Sequence, residues 1–415
     1  MTPDDVRLLT AVEKGDTRRA EKIIAAGQAS VDGDGRIHYR PLLLAAELGF
    51  ARMAKVLIDN GANLDAGSPS DLPGNDVKTL LVRGATAVHF AGFFHKTAVL
   101  RLLLRAGANP NAVDSNQATA LLLTCRSYDH GLRAAAVQEL LNAGADPSIE
   151  NDVGNLPLHY AAMEGDTESI GLLLEAAPST VNRATKGGMT PLCVACEFGE
   201  AQAVSCLLSA GATSKGISCP LATATANGHE SVVRVLLGTK ERIEAFGGVE
   251  KLPSALCHAV QKHTSCAILH VLLSVEGESR RRYWAQSSVE GFPILAMAAT
   301  FNNLAAVKML LAAGAGELYD GDPSTGHISA CRSAYNTNPD DKIQGAITRA
   351  LMRGCAFRAR SWTFPAASTA ALTGSVHLPG VDPSHVPKPA ASLGARIFRP
   401  NKSFVLPVHR YVLKS

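Results

Sequence analysis

The chain has 415 residues, of which 46% are hydrophobic and 5% aromatic, and its formal net charge is +3. That length can bury a large core, but so few aromatic residues indicate a core of alanine and leucine, as in close-packed helices. No apolar run reaches the roughly 18 residues of a membrane helix, and the acidic opening is unlike a secretory signal, so we expect a chain without a membrane span.

A recurring helix end divides the first three quarters of the chain. An aliphatic residue is followed three positions later by glycine at six places: Ile24 with Gly27, Ile58 with Gly61, Leu104 with Gly107, Leu141 with Gly144, Leu208 with Gly211, and Leu311 with Gly314. The glycines are 34, 46, 37, 67 and 103 residues apart, and the last two intervals are close to two and three times a period of about 33. The spacing therefore predicts a repeat array with further members inside the long intervals.

Residues 155–177 show one complete unit, NLPLHYAAMEGDTESIGLLLEAA. Pro157 suits the first turn of a helix, and Gly165 ends that helix. Asp166 can cap a second helix, which has an apolar stripe at helical spacing. Two helices this short cannot bury their own apolar faces, so the unit needs neighbours.

This unit closely resembles the ankyrin repeat, whose pattern runs T-P-L-H-x-A-A-x-x-G and then a helix ending in L-L-x-x-G-A. The resemblance implies an all-α solenoid of helix pairs with a concave face that binds other proteins and no chemistry of its own. It also implies that a threonine caps each first helix and that a histidine ties neighbouring repeats by hydrogen bonds. Those roles apply only to the matching positions, Thr86, His89, His159 and Thr190.

Leu156 and Cys219 stand where the family has its capping threonine. Loss of such a cap typically costs about 1 kcal/mol, so we expect these two helix starts to be weaker than the others.

The register predicts about nine to ten repeats within residues 1–356. The nine clear units are 4–30, 40–66, 84–114, 117–150, 154–185, 188–217, 218–250, 253–290 and 292–320. A degenerate tenth unit is predicted at residues 329–355.

Insertions interrupt the array near residues 66–83 and 277–291. The first is rich in proline and glycine, which favours a surface loop over a finger that contacts a partner. The second contains three arginines followed by Tyr283 and Trp284, residue types found at interfaces and nucleic-acid sites. A solvated loop with Trp284 folded back on the helices is the favoured interpretation.

Nine cysteines without the regular spacing of a disulfide framework fit reduced thiols, which places the chain in the cytoplasm, with the nucleus as an alternative. Two groups have spacings that could hold a metal: Cys193 with Cys196, and Cys257 with His258, His263 and Cys266. Small buried cysteines in a helical core explain both groups better. We expect no metal and no cofactor, and a metal-dependent enzyme is the weakest of the alternatives.

The concave face is the predicted binding site. Its variable positions are the residue after the histidine and the two residues before the glycine of each first helix. Large apolar residues at these positions, together with Trp284, are the candidate partner-binding residues: Leu44, Leu48, Phe90, Phe93, Phe94, Leu123, Tyr160, Met163, Phe198 and Trp284. Aromatic anchors among polar neighbours are typical of protein-binding surfaces, although several of these side chains could instead belong to the core.

Residues 357–415 form a basic tail that we expect to be largely disordered. They carry eight basic residues and one acidic residue, against 32 basic and 36 acidic residues in positions 1–356. The final LPVHRYVL is similar to the end of the SOCS box, a ubiquitin-ligase adaptor, but the upstream helix of that box is not found.

The sequence thus predicts a monomeric scaffold for protein partners of unknown identity, with nucleic acid disfavoured. An adaptor whose tail recruits a ubiquitin ligase is the alternative. The absence of nucleotide, zinc-protease and hydrolase motifs argues against an enzyme.

Limited proteolysis should cut first within residues 361–393 and leave a resistant array. Deleting this segment should leave the melting temperature almost unchanged, because the segment is expected to bury little apolar surface. Digestion of the repeats before this segment would place the domain boundary elsewhere.

Overall fold

A computed structural model describes most of the first three quarters of the chain. The described residues are 2–27, 29–33, 40–69, 83–127, 131–213, 219–238, 252–261, 266–275, 288–289, 292–301, 303–313 and 315. The chain separates into two units, residues 1–355 and 356–415, and all described residues belong to the first. The tail, the predicted tenth repeat, most of the first insertion and Trp284 lie outside the described residues.

The described part of the chain contains nine consecutive helix pairs. The first three units are α1 Pro3–Glu13 and α2 Thr17–Ala25, α3 Pro41–Leu48 and α4 Ala51–Asp59, α5 Ala87–Phe93 and α6 Thr97–Arg105. The next three are α7 Ala120–Arg126 and α8 Arg133–Asn142, α9 Pro157–Met163 and α10 Thr167–Ala176, α11 Pro191–Phe198 and α12 Ala201–Ser209. The last three are α13 Pro220–Asn227 and α14 Glu230–Leu236, α15 Leu252–Gln261 and α16 Cys266–Leu273, α17 Ile294–Thr300 and α18 Leu304–Ala312.

Besides the helix pairs, the described residues contain one 3₁₀ helix and two short strands. A short 3₁₀ helix, Pro178–Asn182, follows α10. Two strands of two residues, β1 Ser288–Val289 and β2 Phe292–Pro293, pair antiparallel just before α17. The prediction of an all-α array of helix pairs is confirmed. Among the described residues, no helix is long and apolar enough to cross a membrane.

The helices form two layers. Each first helix packs against the first helices of the neighbouring units, from α1 to α17, and each second helix packs against its neighbouring second helices in the same way. The side chains between the layers are buried and mostly small or aliphatic, as Ala161, Leu103 and Leu173 illustrate. One continuous core therefore runs through all nine units, and each unit depends on its neighbours to cover its apolar faces.

Left-handed glycines follow five of the second helices, α2, α4, α6, α8 and α12, as the glycine pattern predicts. Gly107, for example, has φ of 94° after α6. Side chains there are disfavoured because the left-handed conformation crowds Cβ. His95 is an exception at the turn between α5 and α6, where it adopts φ of 51° with a buried side chain.

The two histidines of the first-helix pattern bond neighbouring repeats together. The Nδ1 atom of His89 accepts the backbone N–H of Thr86 at 3.0 Å, so the proton is on Nε2, which lies 3.1 Å from the Ala118 carbonyl of the next unit. His159 repeats this geometry, with Leu156 N–H at 3.0 Å and the Met189 carbonyl at 3.1 Å. Each ring is thus held neutral and satisfied at both nitrogens.

The two helix starts without threonine do lack a side-chain cap. Neither Leu156 nor Cys219 accepts a capping hydrogen bond, whereas Thr190 Oγ1 accepts the Cys193 N–H at 3.3 Å. The buried His159 ring takes up the Leu156 N–H instead, which satisfies one of the donors left free at that helix start.

A second set of polar bonds joins the repeats just beyond the ends of the second helices. In each case an Asp or Asn side-chain Oδ1 accepts a backbone N–H of the following unit. The pairs are Asp32 with Asn63 at 2.9 Å, Asp65 with Asn109 at 2.9 Å, Asn111 with Asp146 at 2.8 Å, and Asn182 with Thr213 at 2.8 Å. These bonds fix the rise from one repeat to the next.

Acid should weaken the array through its buried histidines. Burial lowers the pKa of His89 and of His159 to about 4, below the value of 6.5 for an exposed histidine. The unfolded chain therefore binds more protons than the folded chain between pH 6.5 and 4, so stability falls as pH falls through this window. The loss should reach about 3 kcal/mol per histidine at pH 4.

Urea unfolding of the His89→Gln and His159→Gln variants, measured at several pH values, tests this origin. Each variant should be less stable than the wild type near neutral pH but should lose less stability on acidification. Parallel pH profiles for wild type and variants would contradict it.

Candidate functional site

The predicted binding face is built by the first helices. In each unit a turn precedes the first helix, and a second turn connects the first helix to the second helix. Two kinds of position matter: the first-turn position, directly after the histidine site, and the last-turn positions, the final two before the glycine site. Side chains at the first-turn position are in general more deeply buried than those at the last-turn positions.

Three of the four first-turn candidates are core residues. Phe90 has 0% of its surface exposed, Leu123 has 1% and Tyr160 has 3%. The Tyr160 hydroxyl also accepts hydrogen bonds from Asn151 at 3.4 Å and Asn155 at 3.3 Å, both from the preceding turn, which covers the start of the helix. The interpretation of Phe90, Leu123 and Tyr160 as exposed anchors is therefore wrong, because the preceding turn and the neighbouring helices cover this position.

Four further candidates lie at the edge of the core. Phe93 is buried and packs edge to face against Phe94, with ring centroids 5.1 Å apart and an interplanar angle of 85°. Phe94, Met163 and Leu44 are half-buried and pack against the core with one side. Phe93 is thus also corrected to a core residue, while the half-buried three keep some surface for a partner.

Leu48 is the most accessible candidate among the described residues, and Phe198 keeps part of its surface exposed. Leu48 is 38% exposed at the end of α3, and Phe198 is half-exposed at the end of α11. In the described part of the chain, neither side chain is among the partly buried apolar residues that pack against the core. Both occupy the last position before the left-handed glycine, with Gly49 and Gly199 next in the chain.

Arg126 is a feature of this face that the aromatic pattern does not reveal. It ends α7 and is half-buried, and its Cζ lies 5.5 Å from the centroid of the Tyr160 ring in the next unit. Its place in the repeat is that of Met163, so register identifies the position but cannot show the stacking on Tyr160.

A buried carboxylate lies near this arginine. Asp114 Oδ1 accepts the backbone N–H groups of Asn116 at 2.8 Å and Ala118 at 2.9 Å, whereas Oδ2 has no hydrogen-bond partner among the described residues. Burial raises the pKa of Asp114, its backbone hydrogen bonds and the charge of Arg126 lower it, and the charge of Asp152 raises it. The buried Asp114 and the half-buried Arg126 therefore form a polar region in this face, between units 4 and 5.

A buried ion network supports the ends of these first helices. The fully buried Arg133 donates from Nη1 to Asp166 at 3.3 Å, and its Nη2 donates to the Ser127 carbonyl and lies 3.9 Å from Glu164. Ser127 Oγ lies 2.6 Å from Nε2 of His95 in unit 3. The network joins units 3, 4 and 5, and no repeat pattern in the sequence signals it.

Three cysteines of the two candidate metal-binding groups are buried among the helices. Cys193 and Cys196 are buried, and burial raises the pKa of both thiols, so they stay protonated. Cys257 is buried with its Sγ 3.7 Å from Met297 Sδ, while His263 lies outside the described residues. Among the residues that the structure describes, no three His, Cys, Asp or Glu side chains are placed to hold a metal ion.

Comparisons with known proteins agree with this architecture. A family model for ankyrin repeats, in three copies, matches residues 87–185, 122–217 and 158–246. The chain is 33% identical over 156 residues to the human (Homo sapiens) protein named Ankyrin repeat and SOCS box protein 6, covering 36% of this chain and 33% of that protein. It is 32% identical over 127 residues to the Mus musculus B-cell lymphoma 3 protein homolog, covering 31% and 28% respectively.

A third relative is the tyrosine-protein kinase HTK16 of Hydra vulgaris, 30% identical over 125 residues, or 30% of this chain and 16% of the kinase. The chain spans a third or less of the length of each of these relatives. The family match within residues 87–246 and the nine helix pairs together show that the chain carries ankyrin repeats. Ankyrin repeats are protein-interaction modules and are generally not enzymes.

The difference between core and edge positions should appear as a difference in stability. The Phe90→Ala variant should lose about 3–5 kcal/mol of unfolding free energy, because it leaves a cavity in the core. The Phe198→Ala variant should lose less than about 1 kcal/mol, because its side chain is half-exposed and lies off the core. Urea unfolding of both variants checks this, and equal losses would contradict the assignment.

Proposed function

We propose that this chain is a binding scaffold that recognises a protein partner through the last-turn positions of its first helices. The observation that carries the proposal is the exposed Leu48 and the half-buried Phe198 at equivalent places on a packed array, with the half-buried Phe94 and Met163 on units between them. Apolar side chains exposed on one face, among polar neighbours, are suited to contact a partner.

Rigidity of the array favours this function. The first helices are fixed by the continuous core and by the histidine and Asp/Asn bonds between units, so the face is ordered before a partner arrives. A preorganised surface loses little conformational entropy on binding, and more of the contact energy is retained as affinity. Recognition rather than catalysis is the function that such a face supports.

The reduced state of the thiols fits this scaffold role in the cytoplasm or nucleus. The seven cysteines in the described part of the chain are thiols and not disulfides, and four of them are buried. Burial raises the pKa of Cys125 to about 12 and also raises the pKa of Cys193 and of Cys196, which disfavours a reactive thiolate at these three residues.

Binding should be lost without loss of stability when the exposed side chains are removed. A partner is first captured with the whole chain and with residues 1–356. Its affinity is then measured for Leu48→Ala and Phe198→Ala, with Leu132→Ala as the matched control, since Leu132 is a 55% exposed leucine at the start of the second helix α8 and not at a last-turn position of a first helix.

At least one of the two variants should lower the affinity by about 2 kcal/mol, or roughly thirtyfold, at an unchanged urea midpoint. Leu132→Ala should bind as the wild type does. If both variants keep full affinity, recognition lies away from this face.

A second candidate function is an adaptor that joins the bound partner to a ubiquitin ligase. The similarity to a relative named for its SOCS box and the LPVHRYVL ending favour it, although residues 357–415 lie outside the described part. Capture of ubiquitin-ligase subunits by the whole chain but not by residues 1–356 would support the adaptor. Equal capture by both would contradict it.

A further inference from the structure

Arg126 is held in place by the neighbouring repeat. Its guanidinium carbon lies 5.5 Å from the centroid of the Tyr160 ring. Tyr160 is itself fixed, because its ring is buried and its hydroxyl is bonded by Asn151 and Asn155. Stacking on an aromatic face orients a guanidinium and leaves its N–H groups directed outward in its own plane.

Those N–H groups have no partner within the described protein. Arg126 forms no hydrogen bond and no ion pair with any residue that the structure describes, although it is half-buried. Arg133 and Arg183, by contrast, are paired across units, with Asp166 at 3.3 Å and with Glu150 at 3.2 Å. A partly desolvated cation with free donors gains more from an incoming anion than a fully hydrated one does.

The surroundings of Arg126 limit the charge of that anion. Asp114 is close enough for its carboxyl to interact electrostatically with Arg126 and with the exposed Asp152. Asp114 beside the guanidinium, with the charge of Asp152 close to Asp114, would repel a dianion such as a phosphate group. A singly charged carboxylate matches the planar fork of one arginine and meets less repulsion.

We infer that Arg126 is the anchor for an aspartate or glutamate side chain of the protein partner, bound on the first-helix face between units 4 and 5. This inference rests on the proposed function and specifies its chemistry at one place. The half-buried Met163, on the same helix as Tyr160, offers apolar surface to the neighbouring part of the partner. The recognised segment is therefore an acidic residue beside apolar ones.

A phage-displayed library of random linear peptides, selected on the full chain, tests the inference. Peptides that bind should share an Asp or Glu at one position. Changing that acid to its amide should lower the affinity on the order of tenfold for the wild-type chain. With Arg126→Met, the acid and amide forms should bind equally, because the group that distinguishes them is gone.

Two variants keep the test specific. Arg105→Met removes an exposed arginine at the end of α6 and should leave the acid preference intact. Arg126→Lys keeps the charge but loses the planar fork, so it should retain only part of the preference. The urea midpoints of the three variants are compared with that of the wild type to exclude unfolding.

The inference is overturned if Arg126→Met keeps the acid preference, or if the selection yields no peptide with acid-dependent affinity. Peptides that lose affinity with Phe198→Ala but ignore Arg126 would overturn the inference while supporting the proposed binding face. Peptides indifferent to Leu48, Phe198 and Arg126 together would overturn both.

Discussion

Burial between neighbouring repeats is the constraint on which this structure depends. A pair of helices of seven to eleven residues has apolar faces on both sides and too little mass to cover them. Stacking nine such pairs covers these faces in one continuous core, made largely of alanine and aliphatic side chains. Because each unit contacts mainly its neighbours, the stability of the array is the sum of many local interfaces.

Polar bonds then fix how one unit sits on the next. The histidine rings, the Asp and Asn side chains and the buried Arg133 each reach from one repeat into another. Hydrophobic contact alone has little direction, whereas these bonds have defined geometry and are costly to leave unmade in the interior. The position of the first-helix ends, and so of any binding face built on them, follows from this register.

The proposed binding face consists of the first-helix side chains that are not buried in the core. Phe90 and Tyr160 are sequestered, while Leu48 and Phe198 stay accessible at the far ends of their helices. The buried Tyr160 still affects the surface, because the guanidinium of Arg126 lies over its ring. Core and surface are thus coupled at this point, and the face combines apolar contacts with one oriented charge.

The sequence by itself determined the helix pairs, their number among the described residues and the two inter-repeat histidines, because these depend on local spacing, on glycine and on a pattern that recurs in register. Tertiary structure decided which side chains of the face are exposed. Whether Phe90 or Phe198 is covered depends on the turn and the neighbouring helix above it, which one repeat's pattern does not specify. The pairing of Arg133 with Asp166 and the stacking of Arg126 on Tyr160 likewise join residues more than 30 positions apart, so only packing brings them together.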